Sequence, residues 1–315
     1  MLRFIARRLV YGLITLLATS IIVFVMSEVV PVDPARSILG QYTTDANVKQ
    51  LREKMGLDRP LVERYFRWLS HTVQGDLGES YRLGVAIRPL LLARLRNSVY
   101  LALLGLLFLI PVALVSGVIS GLTEGRWPDV AISVFSLFTT SLPEFVSGIF
   151  LIIIFAWWLK ILPGNSMPGS EDGNPLAQPA ILILPAVTLA LSQYGYVTRI
   201  TRVSMAKVMR AAYIRTAVLK GLPLRTVIFR HALRNALLAP ITVLTTNLGF
   251  MVGGLVVIES VFSYPGLGRL FAGAAVFNDI PMLEASAMLG VVIAVGSQLL
   301  ADIIYGYLNP LIRHS

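Results

Sequence analysis

Long apolar runs set the terms for this chain. From Leu9 to Ser27 there is no charged residue, and long apolar stretches with at most two charges each recur at 99–122, 130–158, 180–200, 237–258 and 283–308. A run of about 18 or more apolar residues is long enough to cross the hydrocarbon core as a helix. A helix is also the open-ended structure that satisfies its own backbone hydrogen bonds in lipid. The pattern predicts an all-α integral membrane protein with six transmembrane helices. A mean hydropathy of +0.74 and a charged fraction of only 14% exclude an ordinary soluble domain. Pro111, Pro143, Pro185 and Pro240 fall inside or near the ends of these runs, where a missing N–H bends a helix. Gly117 and Gly121 form a small-xxx-small pair suited to close helix contact.

The opening MLRFIARRLVYGLITLLATS places cations ahead of an apolar core in the manner of a secretory signal. That core outlasts the usual roughly 7–15 residues, and no small-x-small site follows closely, so the segment is expected to remain as the first span.

The 27 Lys and Arg exceed the 17 Asp and Glu, for a formal charge of +10. In a membrane protein this excess is explained by cytoplasmic loops, which retain cations during insertion, and nucleic acid is not implied. Arg3, Arg7 and Arg8 precede the first span, and the 201–235 connection carries Arg and Lys without one acid. Both are expected in the cytoplasm, as is Arg313 near the C-terminus. The segments around 160–180 and 259–282, poor in cations, are expected outside. The chain is thus divided into a cytoplasmic N-terminus and first helix (1–30), an extracytoplasmic helical loop (31–98), and a five-helix core (99–315) with a cytoplasmic connection at 201–235. Within the outer loop, Thr44 or Asp45 suits a helix start and Gly56 its end. Pro60 then opens a second helix with Leu61, Tyr65, Trp68 and Leu69 on one side.

Motifs for chemistry are missing. Without Cys there is no disulfide, thiolate nucleophile or iron–sulfur ligand. No GxxxxGK[ST] loop is present to cradle nucleotide phosphates, GLGRLF at 266–271 lacks the third glycine of a dinucleotide fingerprint, and His71, His231 and His314 are scattered. No metal site, bound cofactor or catalytic constellation is expected. Glu144 sits well inside an apolar run, and charged groups in spans are candidates for a transport path.

The cation-rich connection contains YIRTAVLKGLPLRTVIFRHALRNA, residues 213–236. Gly221 suits a left-handed helix end and Pro223 a helix start, so the stretch reads as helix, tight turn, helix. After the turn, Leu224, Val227 and Ile228 share one helical face. An ordinary positive-inside loop or a patch on anionic lipid accounts for the charge, whereas the Gly-Leu-Pro corner and small residues fit a protein partner.

This stretch resembles the cytoplasmic coupling segment ("EAA" loop) of ATP-binding cassette (ABC) importer permeases of the dipeptide/oligopeptide/nickel family, the first-permease (B-type) subunit. Tyr213, Arg215, Thr216, Ala217, Lys220, Gly221, Leu222, Arg230, His231, Leu233, Arg234 and Asn235 match. RRLVYGLITLLATSIIVFVMSEVVPVDPA, GLDRPLVERYFRWL, GDLGESY, ESVFSYPGLGRL and LADIIYGYLNPLIR resemble further family segments in the same order. Ala212, Val218, Leu219 and Val32 depart from the usual residues. The resemblance implies a coupling helix whose interface with an ATPase includes Tyr213, Arg215, Thr216, Ala217, Lys220, Gly221, Leu222 and Arg225. It also implies a second homologous permease, two ABC ATPase subunits that bind ATP and Mg, an extracytoplasmic substrate-binding protein, and location in a bacterial inner membrane. Di- and oligopeptides are the implied cargo, with nickel chelates, glutathione or another small solute as alternatives. An ion-coupled secondary transporter or an intramembrane enzyme would need ion-coupling groups or a nucleophile–base pair, and neither stands out.

Overall fold

The computed structural model describes residues 2–29, 34–39, 43–169 and 175–308. Pro31–Asp33 of the Pro-Val-Asp-Pro segment, and the closing residues with Arg313, lie outside these. Regular structure among the described residues is helical: α1 (Leu2–Val29), α2 (Pro34–Leu39), α3 (Asp45–Met55), α4 (Leu61–Gln74), α5 (Ile87–Leu122), α6 (Trp127–Ser141), α7 (Glu144–Leu151), α8 (Ala180–Met209), α9 (Ala212–Leu219), α10 (Leu224–Thr226), α11 (Leu233–Ala236), α12 (Leu238–Val261), α13 (Leu267–Val276) and α14 (Ile280–Leu308). A π-helical turn over Ile152–Trp158 extends α7, and another over Val227–Ala232 joins α10 to α11.

Five helical runs are long and apolar enough to cross a membrane: Ile5–Glu28, Ile87–Leu122, Ala180–Met209, Leu224–Thr245 and Ile280–Ile303. The pair Trp127–Ser141 and Glu144–Trp158 qualifies only together and is bent by 107°, making six if the pair is one crossing. The span expected over 130–158, with a bend at Pro143, is therefore broken there into two helices. The cause is local: Leu142 and Pro143 are extended, at ψ 130° and 145°, and a proline both lacks an N–H and disfavours helical backbone in the residue before it. The span expected from Val99 instead starts at Ile87. Arg88, Arg94 and Arg96 mask its first turns in hydropathy, although Ile87 and Leu91 are buried.

The residues fall into two compact units. One comprises 2–98 with 265–296. Its core joins Ile87 and Leu91 of α5 to Leu267, Ala274, Met282 and Ala285. Polar bonds join the distant segments: Asn97 Nδ2 donates to Pro265 O (2.9 Å), Leu267 N to Ser98 Oγ (2.7 Å), and Ser27 Oγ to Glu284 Oε1 (2.5 Å). Asp279 accepts from the Ser80 hydroxyl and from Tyr81 N at 3.1 Å. Gly56 (φ +67°) and Gly75 (φ +80°) end α3 and α4 in left-handed conformation. Thr44 takes the N-cap position of α3, without a side-chain bond. α4 meets α1 through Tyr65 and Trp68, whose rings lie 5.5 and 5.7 Å from that of Phe24, and through the Arg64–Glu28 ion pair (Nη1 to Oε2, 2.9 Å). Tyr65, Trp68 and Leu69 are half-buried, whereas Leu61, grouped with them by spacing, is exposed.

The other unit comprises 99–264 with the chain from Ser297 onward. Its centre is α8, which contributes Ile181, Leu182, Leu184, Ala186 and Leu189 to a core with Leu101, Leu255, Ile258, Phe262 and Tyr264. Helices approach α8 closely through glycine. A Cβ at Gly117 would sit 2.4 Å from Thr201 Cβ, and one at Gly121 2.7 Å from Met205 Cβ. Gly195 does the same against α6, where a Cβ would lie 2.1 Å from Ser136 O.

Candidate functional site

The corner anticipated at 213–236 is built by α8, α9 and the helical run that follows. Arg210 closes α8, and Ala211 is extended (ψ 147°), so α9 leaves in a new direction. Gly221 has φ +79°, a conformation that costs a residue with a Cβ about 1–2 kcal/mol. The turn is completed by Gly221 N donating to Val218 O (2.9 Å) and Lys220 N to Thr216 O (3.0 Å). Pro223 is extended (ψ 140°) and caps the next run. Asn235 Nδ2 donates to Tyr213 Oη at 2.9 Å, tying the two arms together.

Burial gives α9 two unlike faces. Ile214 and Ala217 pack against Met205, Val227, Ala232 and Ala236. Tyr213, Arg215, Thr216, Lys220, Gly221, Leu222 and Arg225 are exposed, and so are Val218 and Leu219, the latter 87% exposed. Ala217 thus differs from the seven residues grouped with it from the sequence. It is buried, and its small side chain lets α9 lie close to the core beneath. Beyond the corner, the α-helical face expected for Leu224, Val227 and Ile228 does not form. The π-helical turn over Val227–Ala232 changes the residue spacing: Val227 is buried, Ile228 half-buried and Leu224 exposed.

Glu144 opens α7 immediately after the break at Pro143 and is half-buried. Its carboxylate lies beside Ser192 of α8 and against the backbone of α12, where a Cβ on Gly254 would be 2.8 Å from both oxygens. Three elements therefore converge on this acid.

One polar cluster escapes sequence reasoning. Asp129 of α6, only 3% exposed, accepts from Arg202 Nε (2.5 Å) and Nη2 (2.7 Å), from Ser120 Oγ (2.5 Å) and from Gly125 N (2.9 Å). A second ion pair joins Arg210, after α8, to Glu124, after α5. Together these lock the α5–α6 turn to the end of α8 that leads into α9. Asp129 lies at the edge of an apolar run and Arg202 among loop cations, so neither position signals a buried pair. Another buried acid is Glu259, fully enclosed near the end of α12. Among the described residues no group of His, Asp or Glu is placed to hold a metal ion.

A bundle of apolar helices with an exposed helical corner defines a multi-span membrane component. The chain belongs to the family described as binding-protein-dependent transport system inner membrane component, whose pattern matches residues 113–314, while that of the family's N-terminal region matches residues 1–92. It is accordingly a permease subunit of the ABC transporter class. It is 34% identical over 316 residues to the oligopeptide transport system permease protein AppB of Bacillus subtilis, covering all of both chains. It is 34% identical to a peptide transport system permease protein of Brucella abortus, over 98% of each chain. The glutathione transport system permease protein GsiC of Shigella flexneri is 32% identical over the full length of both. Among solved structures, an amino acid ABC transporter with histidines shares the fold, with a TM-score of 0.51 at 15% identity, over 70% of this chain and 94% of that one.

Proposed function

We propose that this chain is the B-type permease of an ATP-driven importer that moves di- and oligopeptides, delivered by an extracytoplasmic binding protein, into the cytoplasm of a bacterium. It works with a second homologous permease and two ABC ATPase subunits, which bind ATP and Mg and carry out hydrolysis. It lies in the inner membrane with both termini cytoplasmic, in accord with the cations before α1 and along 201–235. The division into a first helix, an outer helical loop at 31–98 and a core at 99–315 belongs to the same proposal, with α5 of the core reaching back into the loop segment to Ile87.

The observation that carries this reading is the two-faced α9. Ile214 and Ala217 anchor it, while Val218 and Leu219 project apolar surface outward beside Arg215 and Lys220. An anchored knob with an apolar tip and a cationic rim suits a groove on another protein. Closure of the ATPase pair on ATP would displace α9, and the Asp129–Arg202 and Arg210–Glu124 pairs would carry the movement into α5, α6 and α8, shifting the balance between inward- and outward-open states. Glu144, at the bend, is the proposed acidic group of the path, suited to a peptide amino terminus.

The chain has no native cysteine, so Leu219→Cys is a unique label. Expected is a cross-link from it to an ATPase subunit carrying a cysteine in its docking groove, blocking uptake. Full uptake with no cross-link to either ATPase overturns the coupling role. Uptake that survives ATP depletion and collapses with the proton gradient points instead to an ion-coupled carrier. The Shigella relative's name supports a second cargo reading, glutathione, and other small solutes such as nickel chelates remain in the same frame. Direct competition of labelled peptide uptake by glutathione separates them.

A further inference from the structure

In the unit formed by 2–98 and 265–296, an apolar cleft of about 380 Å³ lies between α1, α4, α5 and α14. Its walls include Leu13 and Leu17 of α1, Val73 of α4, Leu92 of α5, and Leu289 and Val292 of α14. Its size falls in the range of small-molecule sites, roughly 300–1,000 Å³. One charged residue lines it, Arg88.

Depth can be read from the helices. α1 ends at Val29, α14 begins at Ile280, and Ser27 bonds Glu284, so these termini share a level. Gly12 of α1 meets Val295 of α14, where a Cβ would be 3.0 Å from Val295 Cγ1, so the two helices run antiparallel. Ile87 opens α5 and packs in one core with Met282 and Ala285, placing Arg88 within the first turns from that level. From Ser20 to Leu13 and from Ala285 to Val292 the cleft then follows each helix inward for about 10 Å at 1.5 Å per residue. It is therefore a lane parallel to the apolar helices α1 and α14, apolar along its length and cationic toward the level where α1 ends and α14 begins. Arg88 lies against the end of α4, its guanidinium 3.6 Å from where a Gly75 Cβ would stand. Among the described residues no carboxylate pairs with it, although every other arginine of the adjoining α3–α4 surface that lines the neighbouring cavity, Arg52, Arg64 and Arg67, has an acid partner. α4 adds exposed Leu61, Val62, Phe66 and Val73, an apolar surface suited to the interface between headgroups and acyl chains.

We propose that this lane holds one acyl chain of a membrane phospholipid and that Arg88 binds its headgroup phosphate, with net-anionic lipids preferred. The charge complementarity at one end and the dry lane behind it together select an amphiphile. A soluble anion would use the guanidinium and leave the lane empty.

The test uses the complete transporter complex reconstituted with equal phosphatidylglycerol and phosphatidylcholine, each supplied in turn with a photoreactive acyl chain. Expected is labelling of peptides containing residues 13–20 or 285–292, several-fold stronger with phosphatidylglycerol. Arg88→Gln should remove that preference, Leu17→Trp should reduce labelling by either lipid, and Arg126→Gln, at an exposed residue that does not line the cleft, should change neither. Equal labelling of wild type and Arg88→Gln overturns the headgroup assignment. Equal labelling by phosphatidylglycerol and phosphatidylcholine in the wild type overturns the anionic preference. A photoreactive residue at position 17 that labels another polypeptide instead of lipid shows a protein contact and overturns the proposal. Should Leu17→Trp fail to assemble, the Arg88→Gln comparison decides alone.

Discussion

Asp129 and Arg202 face each other through two parallel hydrogen bonds, 2.5 and 2.7 Å long, with Ser120 and the Gly125 amide completing the acid's coordination. Planar guanidinium and carboxylate match in this geometry, and Lys would not reproduce it. Removing one member of a buried pair strands the other, at about 3–5 kcal/mol. Because the Arg202 side chain is 31% exposed, the loss expected for Asp129→Ala is nearer the lower figure. Thermal unfolding of the purified complex should show Asp129→Ala less stable than Arg202→Lys, with uptake falling in the same order. Equal stability of Asp129→Ala and wild type would contradict a structural clamp.

Gly221 is left-handed and has no atom within 4 Å of a would-be Cβ. The obstacle to substitution is therefore backbone strain and not crowding. Gly221→Asn, whose side chain tolerates this region, should keep most uptake, while Gly221→Leu should abolish it at normal membrane levels. Equal transport by both would show that the corner does not require this conformation.

At Gly195 the reverse holds. Its backbone is ordinary, but a Cβ would collide with Ser136 O and Thr140 Oγ1 at 2.1 and 2.2 Å. Overpacking of this kind typically costs about 1–3 kcal/mol. Gly195→Ala should lower the unfolding temperature and Gly195→Val should lower it further, in a stability assay that needs no partner proteins.

Tyr81, outside the spans, has its phenol pushed up to about 12 by burial and by the nearby acids Glu284 and Asp279. An unfolded tyrosine ionises near 10, so above that pH the unfolded chain binds fewer protons than the folded one. Stability then falls with rising pH between the two values. Tyrosinate absorbance should lose a late-titrating component in Tyr81→Phe, and this variant should lack that part of the alkaline decline.

If Glu144 meets a peptide amino terminus, Glu144→Gln should weaken uptake of free peptides several-fold and spare N-acetylated ones. Equal loss for both would assign the acid to packing against Gly254 instead.

The corner at Gly221 was readable because its cause is local: a glycine that permits positive φ, a proline two positions after it, and the small residues Thr216 and Ala217 ahead of the turn. The left-handed ends at Gly56 and Gly75 follow from the same stereochemistry. Pro143 announced a bend, but not its size, since 107° depends on two consecutive extended residues and on what the following helix packs against. The π-helical turn at Val227–Ala232 left no trace in hydrophobic spacing, because Leu224 and Ile228 look equally suited to burial until the core beneath α9 is assembled.

Hydrophobic length and residue chemistry alone established that this is a helical membrane chain with an exposed, cation-rich joint, because lipid demands internally bonded backbone and charged side chains avoid it. Tertiary structure alone decided that Ser98 would meet Leu267, that Asp129 would find Arg202, and that Ala217 would face inward while Leu219 faces out. Those pairings depend on contacts far apart in sequence, where side-chain fit and desolvation, summed over the whole bundle, choose among many helices of nearly equal hydrophobicity.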